Sequence, residues 1–136
     1  MPSSIAKGDR ESVIADLRRP TILVVDDDPA ILELVASLLE DESDVVCSRD
    51  GWEALTLAAE IEPDLVLLDL MMPGINGLTL MEELRKLPHG RDLPVFVMTA
   101  HSGLQAEVKR LNIAGFCLKP FEPDTLVAML ELALAV

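Results

Sequence analysis

Ionisable and hydroxyl side chains come directly after four apolar runs of this sequence. Asp26 and Asp27 follow the first run, Asp69 the second, Thr99 the third and Lys119 the fourth. Carboxylate oxygens are ligands that Mg²⁺ prefers, and a lysine ammonium can pair with a phosphoryl oxygen as a mobile point charge. A carboxylate beside a metal can also attack phosphorus and form an acyl phosphate. If these side chains meet, they suit a divalent cation and a phosphoryl group.

The apolar runs belong to a repeated pattern of a short strand followed by a helix. Strands are predicted over residues 21–25, 44–48, 65–68, 95–98 and 116–118. Helices are predicted over residues 30–40, 52–60, 78–87, 104–111 and 124–136. This alternation predicts an α/β domain with five helices and a flavodoxin-like, doubly wound, five-stranded parallel sheet in the order 2-1-3-4-5. In that order the binding crevice lies between strands 1 and 3, which end at Asp26, Asp27 and Asp69.

Single members of this polar set also have simpler explanations. Asp28 precedes Pro29 and is predicted to cap the first helix, so we leave it out of the site. Thr99 taken alone could be only a β-branched strand end, and Lys119 only a surface lysine. Cis peptides occur mainly at X-Pro bonds, and a cis bond between Lys119 and Pro120 would fix the direction of the Lys119 ammonium.

The 136-residue chain is expected to form one domain, residues 21–136, after an N-terminal extension of residues 1–20. We expect the extension to be flexible at first and then to form a short helix over residues 11–19, with Val13, Ile14 and Leu17 on one side. The last predicted helix is apolar on more than one stripe, so its outer face should be covered. The candidate covers are residues 13–17, a second subunit in a homodimer, or a partner protein.

The net charge of −13 argues against nucleic-acid binding, because such proteins neutralise phosphates with clustered Lys and Arg. Residues 1–10 lack the apolar stretch of a signal peptide, and no run approaches the roughly 20 apolar residues of a membrane span. We therefore expect a cytoplasmic protein with no membrane or nucleic-acid partner, and 136 residues are expected to leave no room for an output domain. Cys47 and Cys117 are expected to be buried free thiols.

Several segments, taken together and in order, resemble the receiver domain of two-component response regulators, in particular single-domain regulators of the chemotaxis type. They are residues 22–29 (ILVVDDDP), 64–74 (DLVLLDLMMPG), 76–77 (NG), 94–100 (PVFVMTA) and 119–121 (KPF). The resemblance implies that Asp69 accepts a phosphoryl group from a sensor histidine kinase or a histidine phosphotransfer protein. It also implies that Mg²⁺, or Mn²⁺ in its place, is bound by Asp27 and Asp69, by Asp26 through water, and by the Met71 backbone carbonyl.

The same resemblance implies roles for residues around the acceptor. Thr99 would bond one phosphoryl oxygen, and Lys119 would pair with another. Phe116 aligns with the family's switch aromatic, whose ring turns inward when Thr99 moves. Met71 and His101 are expected to tune the lifetime of the phosphoryl group through access of water. Phosphorylation would then alter the surface formed by the fourth predicted helix, the fifth strand and the fifth helix, which an unidentified output protein reads.

Such a receiver is a phosphoacceptor and is not an enzyme beyond its autocatalytic phosphorylation and dephosphorylation. One alternative is a small phosphatase or phosphotransferase of the haloacid dehalogenase type, because residues 26–28 form an Asp-x-Asp at the first strand end. The later order of Asp69, Thr99 and Lys119 does not match that family. The remaining alternatives are a phosphorylation-independent scaffold, against which the complete acidic set argues, and a receiver fragment of a longer protein.

Overall fold

The computed structural model describes residues 19–72, 74–100 and 112–134. Within these ranges the strands are β1 (Thr21–Val25), β2 (Asp44–Ser48), β3 (Leu65–Asp69), β4 (Val95–Thr99) and β5 (Gly115–Leu118). The helices are α1 (Pro29–Leu39), α2 (Gly51–Ile61), α3 (Gly77–Arg85) and α4 (Pro123–Leu134). The predicted helix over residues 104–111 and the predicted helix in the N-terminal extension, save its last residue Arg19, lie outside the described residues.

All five strands pair in parallel, in the order β2-β1-β3-β4-β5, which confirms the predicted topology. The register brings the strand ends level with one another. Val25 of β1 is opposite both Ser48 of β2 and Leu68 of β3. Thr99 of β4 is opposite Leu118 of β5. The residues that follow β1 and end β3 and β4 therefore share one edge of the sheet, referred to below as the carboxyl edge.

Both faces of the sheet are covered, which explains why the central strands are continuously apolar. The face under α1 and α4 packs a cluster that includes Ile22, Val24, Leu32, Val35, Leu39, Leu65, Leu67, Phe96, Met98, Cys117, Leu126 and Leu130. The face under α2 and α3 packs a cluster that includes Leu23, Val25, Ala54, Ala58, Val66, Leu68, Leu80, Met81, Leu84, Val95 and Val97. Burying each large aliphatic side chain contributes about 1.5–3 kcal/mol. These two clusters hold the strand ends in a fixed arrangement.

Three helices begin at the carboxyl edge with a side-chain cap. The carboxylate of Asp28 accepts a hydrogen bond from the Ala30 N–H at 2.9 Å, which confirms its predicted capping role. Asp50 and Asn76 cap α2 and α3 in the same way. Each cap satisfies a backbone donor that the first helical turn leaves without a partner.

Two details of the sequence prediction need correction. The described helices begin and end one or two residues away from their predicted bounds, and β3 and β4 include Asp69 and Thr99 as their last residues. Cys117 is buried as expected, but the prediction for Cys47 is wrong, because this thiol is exposed. The reason is that, among the described strands, β2 pairs with β1 alone at the edge of the sheet, so its side chains are covered less than those of the central strands.

The last helix is more apolar than its contacts with the sheet require. Leu126 and Leu130 of α4 are buried, whereas 71% of Leu132 is exposed. The helix has 12 residues, and in the part of the chain that the structure describes no helix is long and apolar enough to cross a membrane. An apolar surface of α4 therefore remains open in this structure.

Gly77 allows α3 to begin against the loop that follows Asp69. A Cβ atom on Gly77 would lie 2.5 Å from the Cα atom of Leu70 and 2.7 Å from its carbonyl oxygen. Because this neighbour is backbone, Gly77→Ala must displace either the loop or the helix. We expect Gly77→Ala to lower the free energy of unfolding by about 1–3 kcal/mol, measured by urea denaturation followed by circular dichroism.

The matched control is Thr79→Ala, an exposed position of the same helix. This substitution is expected to change the free energy of unfolding by less than about 0.5 kcal/mol. Equal stabilities of Gly77→Ala and the parent chain would show that the close approach to Leu70 does not constrain the loop.

Candidate functional site

Three carboxylates converge at the carboxyl edge. Asp26 and Asp27 directly follow β1, and Asp69 ends β3, its neighbour in the sheet. One oxygen from each lies within 4.8 Å of the others. Asp26 and Asp69 are buried, with 0% and 4% exposed, and Asp27 is partly exposed. The structure thus brings together the three aspartates that the sequence placed at the switch point.

Hydrogen bonds fix the side chain of Asp69 through both of its oxygens. The Met71 N–H donates to Oδ1 at 2.9 Å, and the Lys119 ammonium donates to Oδ2 at 2.9 Å. In Asp26, Oδ1 accepts from the Asp28 N–H at 2.9 Å. Asp28 thus contributes its backbone to the site, a contact that the sequence did not reveal. The assignment of the Met71 carbonyl as a metal ligand stays a prediction.

Lys119 connects the end of β5 to the two buried carboxylates. Its Nζ atom lies 2.5 Å from Oδ2 of Asp26 and 2.9 Å from Oδ2 of Asp69. Its backbone N–H donates to the Thr99 carbonyl at 2.9 Å, which continues the pairing of β4 with β5. The Lys119–Pro120 bond is cis. Only 16% of the lysine side chain is exposed, so it is not a surface lysine.

Burial and pairing set the charges of these groups. Burial raises the pKa of Asp26, and the hydrogen bonds from Lys119 and from the Asp28 N–H offset only part of this effect. Burial alone would lower the pKa of Lys119, but its hydrogen bonds to Asp26 and Asp69 outweigh burial and raise the pKa above its usual value. The lysine is therefore a stable cation at neutral pH.

The donor set fits a hard divalent cation. The cluster offers carboxylate oxygens from three aspartates, and Lys119 balances one of their three charges when all are ionised. The remaining two negative charges match Mg²⁺, which typically takes one or two carboxylates together with waters and a phosphate. Without a cation, the repulsion among the carboxylates would oppose ionisation of the whole set.

The other described residues that were singled out from the sequence lie at or near the same edge. Thr99 is buried at the end of β4. Phe116 lies within β5, half-buried against the core under α2 and α3. Met71 is 52% exposed, and its N–H contacts Asp69. His101 lies outside the described residues, so its predicted influence on the phosphoryl lifetime stays a prediction.

The end of β2 adds residues that the sequence analysis missed. Arg49 donates from Nε to the backbone carbonyl of Asp27 at 3.3 Å. The buried hydroxyl of Ser48 lies 2.9 Å from a carboxylate oxygen of Glu53 and 2.8 Å from the Asp50 carbonyl. The sequence could have indicated these residues, because the predicted strand order places β2 beside β1. The end of β2 is then expected beside Asp26 and Asp27.

This fold, with an acidic cluster and a lysine at the carboxyl edge, is that of a receiver. The family model described as the response regulator receiver domain matches residues 22–131. The chain therefore belongs to the response regulator receiver domain family, as the sequence motifs indicated. This finding supports a role in two-component signal transduction and gives no support to the haloacid dehalogenase alternative.

Similar proteins place the chain within that family. It is 37% identical over 112 residues to the DNA-binding dual master transcriptional regulator RpaA of Synechocystis sp., covering 80% of this chain and 46% of RpaA. It is 40% identical over 116 residues to the DNA-binding response regulator MtrA of Mycolicibacterium smegmatis, covering 83% of this chain and 50% of MtrA. The structure matches the chemotaxis response regulator CheY4 of Vibrio cholerae with a TM-score of 0.80 at 28% identity, covering 85% of this chain and 99% of CheY4.

The chain spans about half the length of the curated relatives RpaA and MtrA. Both are named as DNA-binding regulators. The expectation that this protein has no nucleic-acid partner is therefore not confirmed and stays a prediction.

Proposed function

We propose that this chain is a phosphoacceptor of a two-component phosphorelay and that phosphorylation of Asp69 switches its binding surface. The observation that carries the proposal is the arrangement of Asp26, Asp27 and Asp69 around the ammonium of Lys119. The acceptor carboxylate is held at both oxygens, in a set of charges suited to a cation and a phosphoryl group. The chain would act as an acceptor and not as a turnover enzyme.

The residues that would hold Mg²⁺, or Mn²⁺ in its place, are Asp27 and Asp69 directly, Asp26 through water, and Met71 through its backbone carbonyl. The charge balance of the cluster supports this assignment. When bound, the ion offsets the repulsion among the carboxylates and the negative charge of the incoming phosphoryl group. Asp27 is the most exposed of the three aspartates, so the ion would enter the site from the side of Asp27.

The donor would be a phosphohistidine of a sensor histidine kinase or a histidine phosphotransfer protein. An Asp69 oxygen forms a bond to phosphorus, while the bond from phosphorus to the imidazole nitrogen breaks and that nitrogen keeps the electron pair. Lys119, already 2.9 Å from an Asp69 oxygen, neutralises charge on the phosphoryl oxygens, and the Thr99 hydroxyl donates to another of them. Catalysis of this kind consists mainly of positioning and charge stabilisation.

The switch would connect Thr99 with Phe116 on the neighbouring strand. Thr99 moves toward the phosphoryl group, and the half-buried Phe116 ring moves deeper into the core. The surface that responds would comprise β5, α4 and the predicted helix over residues 104–111, and an output protein in the cytoplasm, or a second copy through α4, would read it. Met71 and His101 would set how readily water reaches the acyl phosphate.

Incubation with radiolabelled acetyl phosphate tests the proposal and its metal requirement. We expect the full chain to incorporate label only with Mg²⁺ present, and EDTA to prevent incorporation. Asp27→Ala should raise the half-saturating Mg²⁺ concentration at least about tenfold, because losing even an outer partner of a ligand costs about that much. Label incorporated equally in EDTA would contradict the metal assignment.

The control for Asp27 is the adjacent Asp28→Ala. The Asp28 side chain caps α1 and is not part of the carboxylate cluster. Its removal should cost about 1 kcal/mol of stability through the lost cap and should leave the Mg²⁺ requirement unchanged.

A further inference from the structure

An apolar groove lies between α1 and α4, at the edge of the domain opposite the acceptor. Its volume is about 420 Å³. The apolar part of its wall is formed by Pro20, Leu38, Leu39, Val127, Leu130 and Leu134. Acidic side chains of Asp41, Glu42 and Glu131 stand at its rim. A ligand for this groove should therefore be apolar along its centre and basic at its ends.

The chain enters the domain at this groove. Pro20 is part of the groove wall. The guanidinium of Arg19 donates to the backbone carbonyls of Glu40, Asp41 and Ser43 and pairs with the Asp44 carboxylate at 3.1 Å. These contacts fix the position of the Arg19 side chain against the loop that follows α1. Whatever precedes Arg19 in the chain therefore starts beside the groove.

The residues that precede Arg19 have the pattern that the groove requires. At helical spacing, Val13, Ile14 and Leu17 share one face of residues 11–18. Arg10 and Arg18 lie at either end of these apolar positions, and at helical spacing the acidic Glu11 and Asp16 fall outside the apolar face. A helix rises about 6 Å over the four steps from Val13 to Leu17 and about 10 Å over the seven steps from Val127 to Leu134, so the apolar face fits within the length of the groove.

We propose that residues 11–18 dock into the groove of the same chain, with Val13, Ile14 and Leu17 against α1 and α4. The occupant is intramolecular because Arg19 holds the segment at the mouth of the groove. A tether this short gives an effective concentration in the millimolar range, which a second copy or a partner would have to exceed. Arg18, and Arg10 just before the docked segment, then lie close to the acidic rim, where opposite charges favour docking.

The test compares Leu17→Ser with Ala15→Ser in the full chain, using methyl NMR spectra and thermal unfolding. Ala15 lies on the face of the segment opposite Leu17, so it serves as the matched control. We expect Leu17→Ser to shift the methyl resonances of Leu38, Val127 and Leu134 and to lower the Tm by about 4 °C. Ala15→Ser should leave these resonances and the Tm unchanged.

Two results would overturn the proposal. The first is a Leu17→Ser chain whose groove methyl resonances coincide with those of the parent, which would show that the segment does not dock. The second is a parent chain that is dimeric by light scattering and whose groove resonances depend on protein concentration, which would make a second copy the occupant. A monomeric parent with concentration-independent resonances that Leu17→Ser shifts supports the proposal.

Discussion

Asp69→Asn is expected to reduce phosphoryl incorporation from acetyl phosphate to background. The amide oxygen of Asn can still accept the hydrogen bond that Oδ1 of Asp69 receives from the Met71 N–H, so the loop should keep its position. The amide is not a nucleophile toward phosphorus, so no acyl phosphate can form. The measurement is the amount of label per chain after incubation with Mg²⁺, together with the Tm, to establish that the variant is folded.

Asp41→Asn provides the control for this experiment. Asp41 is exposed at the edge opposite the acceptor, so its substitution removes the same charge without touching the cluster. It should incorporate label as the parent does. If Asp69→Asn incorporated label to the same stoichiometry as Asp41→Asn, the acceptor would have to be another residue.

Lys119→Met should destabilise the fold strongly as well as slow phosphorylation. The ammonium is the cationic partner of Asp26, which is fully buried, and the substitution leaves that carboxylate without its charge partner. Removing one member of a buried ion pair typically costs about 3–5 kcal/mol. We expect a loss of that size in the free energy of unfolding, measured by urea denaturation in EDTA so that metal binding does not mask it.

The double variant Lys119→Met with Asp26→Asn separates the loss of the lysine from the cost of the unpaired charge. Because asparagine at position 26 carries no charge, the double variant should recover part of the stability that Lys119→Met loses. The coupling energy expected for two residues in direct contact is about 0.5–3 kcal/mol. A double variant less stable than Lys119→Met would show that the unpaired carboxylate is not the source of the loss.

The topology and the acidic cluster could be predicted because both follow from short-range patterns. Continuous apolar runs separated by helical segments require a parallel sheet covered on both faces, and parallel strands place their ends at one edge. Asp26, Asp27 and Asp69 therefore had to meet once the strand order was known. Asp28 could be assigned to a helix cap and not to the metal site, because an aspartate before Pro29 has the pattern of a cap.

The contacts that depend on side-chain reach could not be predicted in the same way. Lys119 reaches past the end of β4 to Asp69 and past β4 and β3 to Asp26, and nothing in its own segment specifies two partners. The exposure of Cys47 depends on β2 having a neighbour on one side only. The start of α2 at Gly51 was missed because glycine is a poor helix former. The glycine is needed there for packing, because a Cβ atom at position 51 would lie 1.9 Å from Cγ2 of Ile75.

The two-acceptor geometry of Lys119 has a consequence for the energy of switching. Because the ammonium lies 2.5 Å from Asp26, phosphorylation of the proposed acceptor Asp69 would let the lysine exchange an Asp69 oxygen for a phosphoryl oxygen while its contact with Asp26 remains. The lysine would then keep an anionic partner throughout, so the exchange would avoid the cost of an unpaired buried charge. Through Lys119, Asp26 connects the end of β5 to the end of β1, and phosphorylation at Asp69 would redirect the ammonium without breaking that connection.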